Sequence, residues 1–233
     1  MGFESLFHNF NMTLEVFFVD LLLSGDNAIV IALACRSLPK VQMQKAILIG
    51  IVAAIVLRVI LTSISSFILY LPVLRLLGGI ALLIIAIKLL VEEEDGGESD
   101  DGVAKPVGFF SAVQTIIVAD LVMSIDNVIA LAAVAQGSIF FLFIGLLISV
   151  PFLMYGSMFV TNMLKTYPFL IQVGGALLGW IAGHIAITDT IWDASVSVQS
   201  PALHYVVPFL VALFVLMQSR TIRQRIVLSQ EKS

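Results

Sequence analysis

Charge is scarce in this 233-residue chain. Only 12% of its residues are Asp, Glu, Lys or Arg, about half the share of an ordinary soluble domain. With 60% hydrophobic residues and a mean hydropathy of +1.08, there is too little polar surface to cover a water-facing globule, so a soluble enzyme or a nucleic-acid binder is excluded. Cysteine is nearly absent: Cys35 stands alone, which rules out an intramolecular disulfide, and no Cys/His spacing fits a zinc or redox centre. The period-2 alternation of barrel strands is missing as well, and in a bilayer core without water the remaining way to satisfy the backbone is a helix. A basic leader is also missing. The first apolar stretch carries Asp20 and Asp26 where a signal peptide would be purely apolar, so it is expected to stay in the mature chain.

What the chain does have is apolar runs of about twenty residues, enough to cross the hydrocarbon core. They fall at 14–34, 46–66, 73–91, 109–134, 139–160, 169–187 and 203–219, which predicts an all-α membrane protein with seven transmembrane helices, its partner the lipid bilayer. The net charge of −4 is misleading, because the run EEEDGGESDD at 92–101 contributes seven negative charges and the rest of the chain is at +3. That run lacks the ligand spacing of an EF-hand and reads as a solvated linker. Numbering sides by alternation, one side has Arg36, Lys40, Lys45, Lys105, Lys165, Arg220, Arg223, Arg225 and Lys232, and the other only Arg75. This asymmetry puts the N-terminus outside, the C-terminus in the cytoplasm and the chain in the plasma membrane.

The sequence repeats itself. Residues 20–34, DLLLSGDNAIVIALA, return at 120–134 as DLVMSIDNVIALAAV, with seven of fifteen positions identical. Pro72, Leu74, Gly78 and Gly79 return as Pro168, Leu170, Gly174 and Gly175. Proline suits a first helical turn and glycine a close helix crossing. Gly175, Gly179 and Gly183 extend this into a packing row, while Pro151 and Pro208 are positions where spans five and seven can kink. The chain divides into a first three-helix repeat at 1–91, an acidic linker at 92–108, a second repeat at 109–187, and a loop, seventh helix and basic tail at 188–233. Three crossings are an odd number, so the second repeat enters from the opposite face. The expected fold is a 3+3 inverted repeat plus one helix, an arrangement that in secondary transporters holds the substrate near the midplane.

The duplicated aspartates fall at that depth. At 100° per residue, Asp20, Ser24 and Asn27 share one helix face, as do Asp120, Ser124 and Asn127, whereas Asp26 and Asp126 turn away by about 120°. Either Asp26 faces a neighbouring helix, or the carboxylates are successive stations on a path, or the helix unwinds. Gly25 favours unwinding in the first repeat and Ile125 opposes it in the second, so unequal contributions from the halves are expected. An aspartate at the bilayer centre costs about 2.5–3.5 kcal/mol on insertion scales. Arg58, Lys88 and His184 are the candidates for counter-charge or a proton path. Carboxylate, amide and hydroxyl are hard oxygen donors that suit Mg²⁺, Ca²⁺ or Mn²⁺, and the surplus of negative charge makes proton coupling a reasonable expectation.

The D-x3-S-G-D-N-A stretch, its D-x3-S-x-D-N partner and the seven spans resemble the TerC family of integral membrane proteins. The resemblance covers nearly the whole chain and implies divalent metal-ion transport, with Mn²⁺ export the expected role. It implicates Asp20, Asp26, Asp120 and Asp126, and with them Asn27 and Asn127, as metal ligands. The soluble C-terminal domains of longer relatives are not matched, so nucleotide sensing is not implied. Two other readings stand beside this one. A membrane adaptor or sensor could bind metal without moving it. An intramembrane aspartyl hydrolase would need Tyr-Asp and G-x-G-D; here the second is LSGD at 23–26, and Tyr-Asp does not occur. No enzymatic activity, catalytic residue or resident cofactor is therefore expected.

Overall fold

The computed structural model describes residues 3–64, 71, 73–91 and 108–230. Pro72, the acidic run 92–101, Lys105, Lys232 and the last two residues of the second predicted span lie outside the described residues. Among those described, every regular element is a helix: α1 Phe3–Leu23, α2 Asn27–Cys35, α3 Lys40–Ser63, α4 Leu74–Val91, α5 Phe109–Ala135, α6 Ile139–Thr166, α7 Phe169–Ile187, α8 Asp193–Gln199 and α9 Leu203–Gln230. Six of them, α3 to α7 and α9, are long and apolar enough to cross a membrane. Residues 9–23 of α1 and helix α2, bent by 58° at a short break, form a seventh span when taken together. The seven predicted runs thus correspond to α1 with α2, then α3, α4, α5, α6, α7 and α9. Pro151 and Pro208 lie inside α6 and α9, which continue through them.

The helices pack as two units, each drawing on both halves of the sequence. One contains α1, α2, α3, α5 and nearly all of α6; the other contains α4, α7, α8 and α9. In the first unit α3 lies along α5, which also meets α1 and α2. A Cβ placed on Gly50 of α3 would come within 2.7 Å of Ile116 in α5, and one placed on Gly145 of α6 within 2.5 Å of Val16 in α1. Val16 and Ile116 are one hundred positions apart, so the two contacts are counterparts under the repeat. In the second unit α7 packs on both α4 and α9. Here Gly79 meets Ala186 and Gly175 meets Leu90, again a reciprocal pair, at an offset of ninety-six. Contacts in which i meets j and the counterpart of i meets the counterpart of j are what a two-fold relation imposes. The glycine row of α7 is a packing face with two partners, since Gly179 and Gly183 turn to Ala212 and Pro208 of α9.

An acidic side chain fastens the second unit at one end. Asp189, just beyond α7, has no exposed surface. Its Oδ1 accepts from the N–H of Val73 and of Ile191, both at 3.1 Å, and its Oδ2 from the N–H of Leu76 at 3.0 Å. It therefore caps the N-terminus of α4 from the segment that follows α7, satisfying donors that a helix start leaves without partners. Val73 has φ of 69°, an unfavourable angle for a β-branched residue, and the bond to Asp189 helps hold it there. Arg75 Nη1 donates to the Thr188 carbonyl at 2.7 Å, adding a second tie between the ends of α4 and α7. Burial raises the pKa of the Asp189 carboxyl, but the backbone N–H donors of Leu76, Ile191, Val73 and Arg75 outweigh this and hold it below the ordinary carboxylate value.

Two outcomes are expected for unfolding in detergent. Gly183→Val should cost about 1–3 kcal/mol by overpacking against α9, whereas Gly156→Val, where nothing lies within 4 Å of the added Cβ, should unfold like the wild type. Because the folded pKa of Asp189 is depressed, its stabilisation is present above the ordinary carboxylate pKa and lost as pH falls through the lower folded value. Asp189→Ala should cost about 1–2 kcal/mol at neutral pH, as loss of a helix cap does, and should flatten the acid limb of the stability curve.

Candidate functional site

The first copy of the duplicated motif breaks its helix and the second does not. Helix α1 ends at Leu23, with the Ser24 N–H still bonded to the Asp20 carbonyl at 2.8 Å. Asp26 then opens α2: its carbonyl accepts from the N–H of Ile29 at 3.0 Å, and its Oδ1 from the N–H of Asn27 at 2.9 Å. Helix α5 runs from Phe109 to Ala135 straight through Ile125. Gly25 lies at the break, as expected, but by a different physical route. Its φ is not positive, and an added Cβ would sit 3.8 Å from the Leu22 carbonyl oxygen, an ordinary contact. Glycine acts here by weakening the helix, by about 1 kcal/mol relative to alanine, and not by supplying an angle forbidden to other residues.

At the break, two aspartates from equivalent positions meet one arginine. Asp20 of α1 and Asp120 of α5 are buried, at 0% and 8% exposure, and Arg58 of α3 is 3% exposed. The Arg58 guanidinium pairs with Asp20 Oδ1 through Nη1 and with Asp120 Oδ1 through Nη2, the latter at 2.6 Å. It also donates from Nη1 to Ser24 Oγ at 2.9 Å and from Nε to Ser124 Oγ at 3.0 Å. Each serine in turn donates to the aspartate one turn before it, Ser24 to Asp20 at 3.2 Å and Ser124 to Asp120 at 3.1 Å. Ser149 of α6 lies within hydrogen-bond distance of Asp20 Oδ2, and Asn27 Nδ2 donates to Asp120 Oδ1 at 2.9 Å. All four carboxylate oxygens thus have donors, which is what makes a buried charge tolerable.

The other predicted residues are distributed differently. Asp26 and Asp126 are half-buried. Asn127 Nδ2 donates to the Leu23 carbonyl at 3.3 Å, satisfying an acceptor freed where α1 stops. Lys88 and His184 are exposed residues of α4 and α7 in the second unit. Of the three basic candidates, Arg58 is the one in the aspartate cluster. Among the described residues, no three His, Cys, Asp or Glu side chains gather closely enough to hold a metal. Of the six predicted ligands, Asp20, Asn27 and Asp120 are buried, with Asn27 bonded to Asp120, and Asp26, Asp126 and Asn127 are half-buried.

Beside Arg58 lies a cavity of about 20 Å³, bordered by Asn27, Asp120, Met123, Leu153 and apolar side chains of α2 and α3. Asn27 Oδ1 is buried there without a hydrogen-bond donor. One turn along α3, Thr62 borders a larger hollow of about 220 Å³ with Ala132, Ser138 and Leu142. Sequence reasoning missed Ser149 and Met123. Ser149 had a signal, a hydroxyl in an apolar run two positions before Pro151. Met123 had none, because an apolar residue in an apolar helix looks like its neighbours.

Comparison with known proteins agrees with this architecture. Over 201 residues the chain is 37% identical to YjbE of Bacillus subtilis, described as an uncharacterized membrane protein, covering 86% of this chain and 90% of that one. It is 27% identical over 167 residues to YceF of the same organism, also described as an uncharacterized membrane protein, covering 69% and 65% of the two chains. The UPF0053 protein YegH of Escherichia coli is 25% identical over 232 residues, 89% of this chain but 44% of that longer one. No solved structure matches the chain. Residues 7–226, nearly its full length, match the integral membrane protein TerC family, and the chain, a multi-pass integral membrane protein, belongs to that family.

Proposed function

We propose that the protein carries a divalent cation across the plasma membrane, with Mn²⁺ export as its activity. The observation that carries this reading is the meeting of Asp20 and Asp120, equivalent residues of two duplicated segments, at one buried polar centre beside a broken helix. Transporters built from inverted repeats bind their substrates at such places, where discontinuous helices offer free backbone ends and irregular backbone lines a cavity. The oxygens available are carboxylate, amide and hydroxyl, the donors of a hard divalent ion. Met123 adds a thioether to the cavity wall, and a softer donor favours a transition-metal ion over Mg²⁺ and Ca²⁺. Asp26 and Asp126, both half-buried, are the stations through which the ion approaches and leaves. The N-terminus lies outside and the C-terminus inside, following the basic residues, and protons are the natural counter-ions for a site with surplus carboxylate.

The test is Mn²⁺ flux in proteoliposomes, with and without a proton gradient, in competition with Mg²⁺, Ca²⁺, Fe²⁺ and Zn²⁺. Asp26→Asn and Asp126→Asn should abolish flux while the protein remains folded in the membrane. Wild-type flux from both variants would overturn the assignment, and Mn²⁺ binding without flux under any gradient would favour an adaptor or sensor. Gly25→Ala fits the available space, so its effect should be on the helix break: a bias of about 1 kcal/mol toward a continuous helix should slow flux by up to about fivefold.

A further inference from the structure

We infer that Arg58 is a tethered substitute for the transported ion, holding Asp20 and Asp120 while the carrier is empty and giving way when the cation binds. The inference rests on the transport reading above. The groups around the guanidinium are those a divalent cation would recruit: one carboxylate oxygen from each repeat and one serine hydroxyl from each repeat. An arginine fits this frame because its planar fork can bridge two carboxylates at once, which an ammonium point charge does less well.

Space forces the exchange. The cavity beside the guanidinium is about 20 Å³, room for one water or one bare ion. A hydrated divalent ion carries about six waters at about 30 Å³ each. A hydrated cation therefore does not fit beside the guanidinium, and an ion that takes the Asp20 and Asp120 oxygens now held by Arg58 displaces it. Asn27 is 4% exposed, and its Oδ1, bordering the same cavity, has no donor. Arg58 leaves this acceptor unused, and a cation in its place would satisfy it.

Charge makes the substitution useful. With Arg58 in place, the two carboxylates and the guanidinium sum to −1. With a divalent ion in its place they sum to zero. With neither present, two bare carboxylates would have to be carried through a low-dielectric core, which is the expensive step. The correspondence between Gly50 and Gly145 matches α3 to α6 and puts Leu153 at the position of Arg58. The repeat therefore supplies two aspartates but one arginine, as a single exchangeable position requires.

The experiment compares two transport modes in proteoliposomes. Net Mn²⁺ flux requires the empty carrier to return, whereas Mn²⁺/Mn²⁺ tracer exchange needs only the loaded one. In Arg58→Gln the ratio of net flux to exchange should fall at least about tenfold, and Mn²⁺ affinity of the purified protein should rise by a similar factor, each tenfold corresponding to about 1.4 kcal/mol. Should Arg58→Gln fail gel filtration as a folded species, Arg58→Lys keeps a charge without the bridging fork, and the same ratio should fall by a smaller factor. A purely structural arginine would lower both modes together, so an unchanged ratio overturns the inference. So does an unchanged or weakened Mn²⁺ affinity in folded Arg58→Gln. A wild-type protein that moves Mn²⁺ in neither mode overturns the transport reading itself, and the inference with it.

Discussion

The first unit is organised around a guanidinium buried among carboxylates. Arg58 joins α3 to α1 through Asp20 and to α5 through Asp120, so three helices meet at one charge balance. Removing one partner of a buried pair typically costs about 3–5 kcal/mol, because the remaining charge is stranded without water. Ser24, Ser124, Ser149 and Asn27 complete the arrangement by supplying the donors that a single arginine cannot. The close crossings of α3 on α5 and α6 on α1, through Gly50 and Gly145, bring the helices near enough for short side chains such as serine to reach across. Packing and electrostatics therefore depend on each other: the glycines set the spacing, and the spacing permits the hydrogen bonds.

The duplicated segments are alike in sequence and unlike in structure. In both, a serine bonds the aspartate one turn earlier and accepts from Arg58, so the i, i+4 geometry of a helix survives in each copy. The difference lies four residues past the buried aspartate plus one, where Gly25 stands against Ile125. A small loss of helix propensity at Gly25, together with an aspartate able to cap a new helix at 26, is enough to stop α1 and start α2. The second copy, with a β-branched residue filling its buried position in α5, keeps a continuous helix. The break frees the Leu23 carbonyl, which Asn127 of the unbroken copy satisfies. Asn27 of the broken copy reaches Asp120 in return. The asymmetry is thus a cross-exchange between the repeats.

Much of this was legible in advance. The helical wheel puts Asp20, Ser24 and Asn27 on one face and turns Asp26 away, and the structure keeps Asp20 with Ser24 while Asp26 turns to the start of α2. Hydropathy placed each span on a helix, because a bilayer-sized apolar run has few alternatives, but the first and last helices run about eleven residues beyond the predicted runs, since a helix can continue past its apolar stretch. The partition of counter-charges was not legible. Arg58, Lys88 and His184 look equivalent in one dimension, yet Arg58 meets the aspartates and the others are exposed residues of another packing unit.

The sequence by itself determined that the protein is a helical membrane protein with duplicated intramembrane aspartates, since hydropathy and repetition are properties of the chain read in order. Only the tertiary structure decided which aspartates are buried, that one arginine answers two of them, and that Ser149 and Met123 belong beside them. The physical reason is reach. A hydrogen bond or ion pair acts over a few ångströms, and which residues come within that distance across helices is set by the crossings at Gly50 and Gly145, which no local pattern announces.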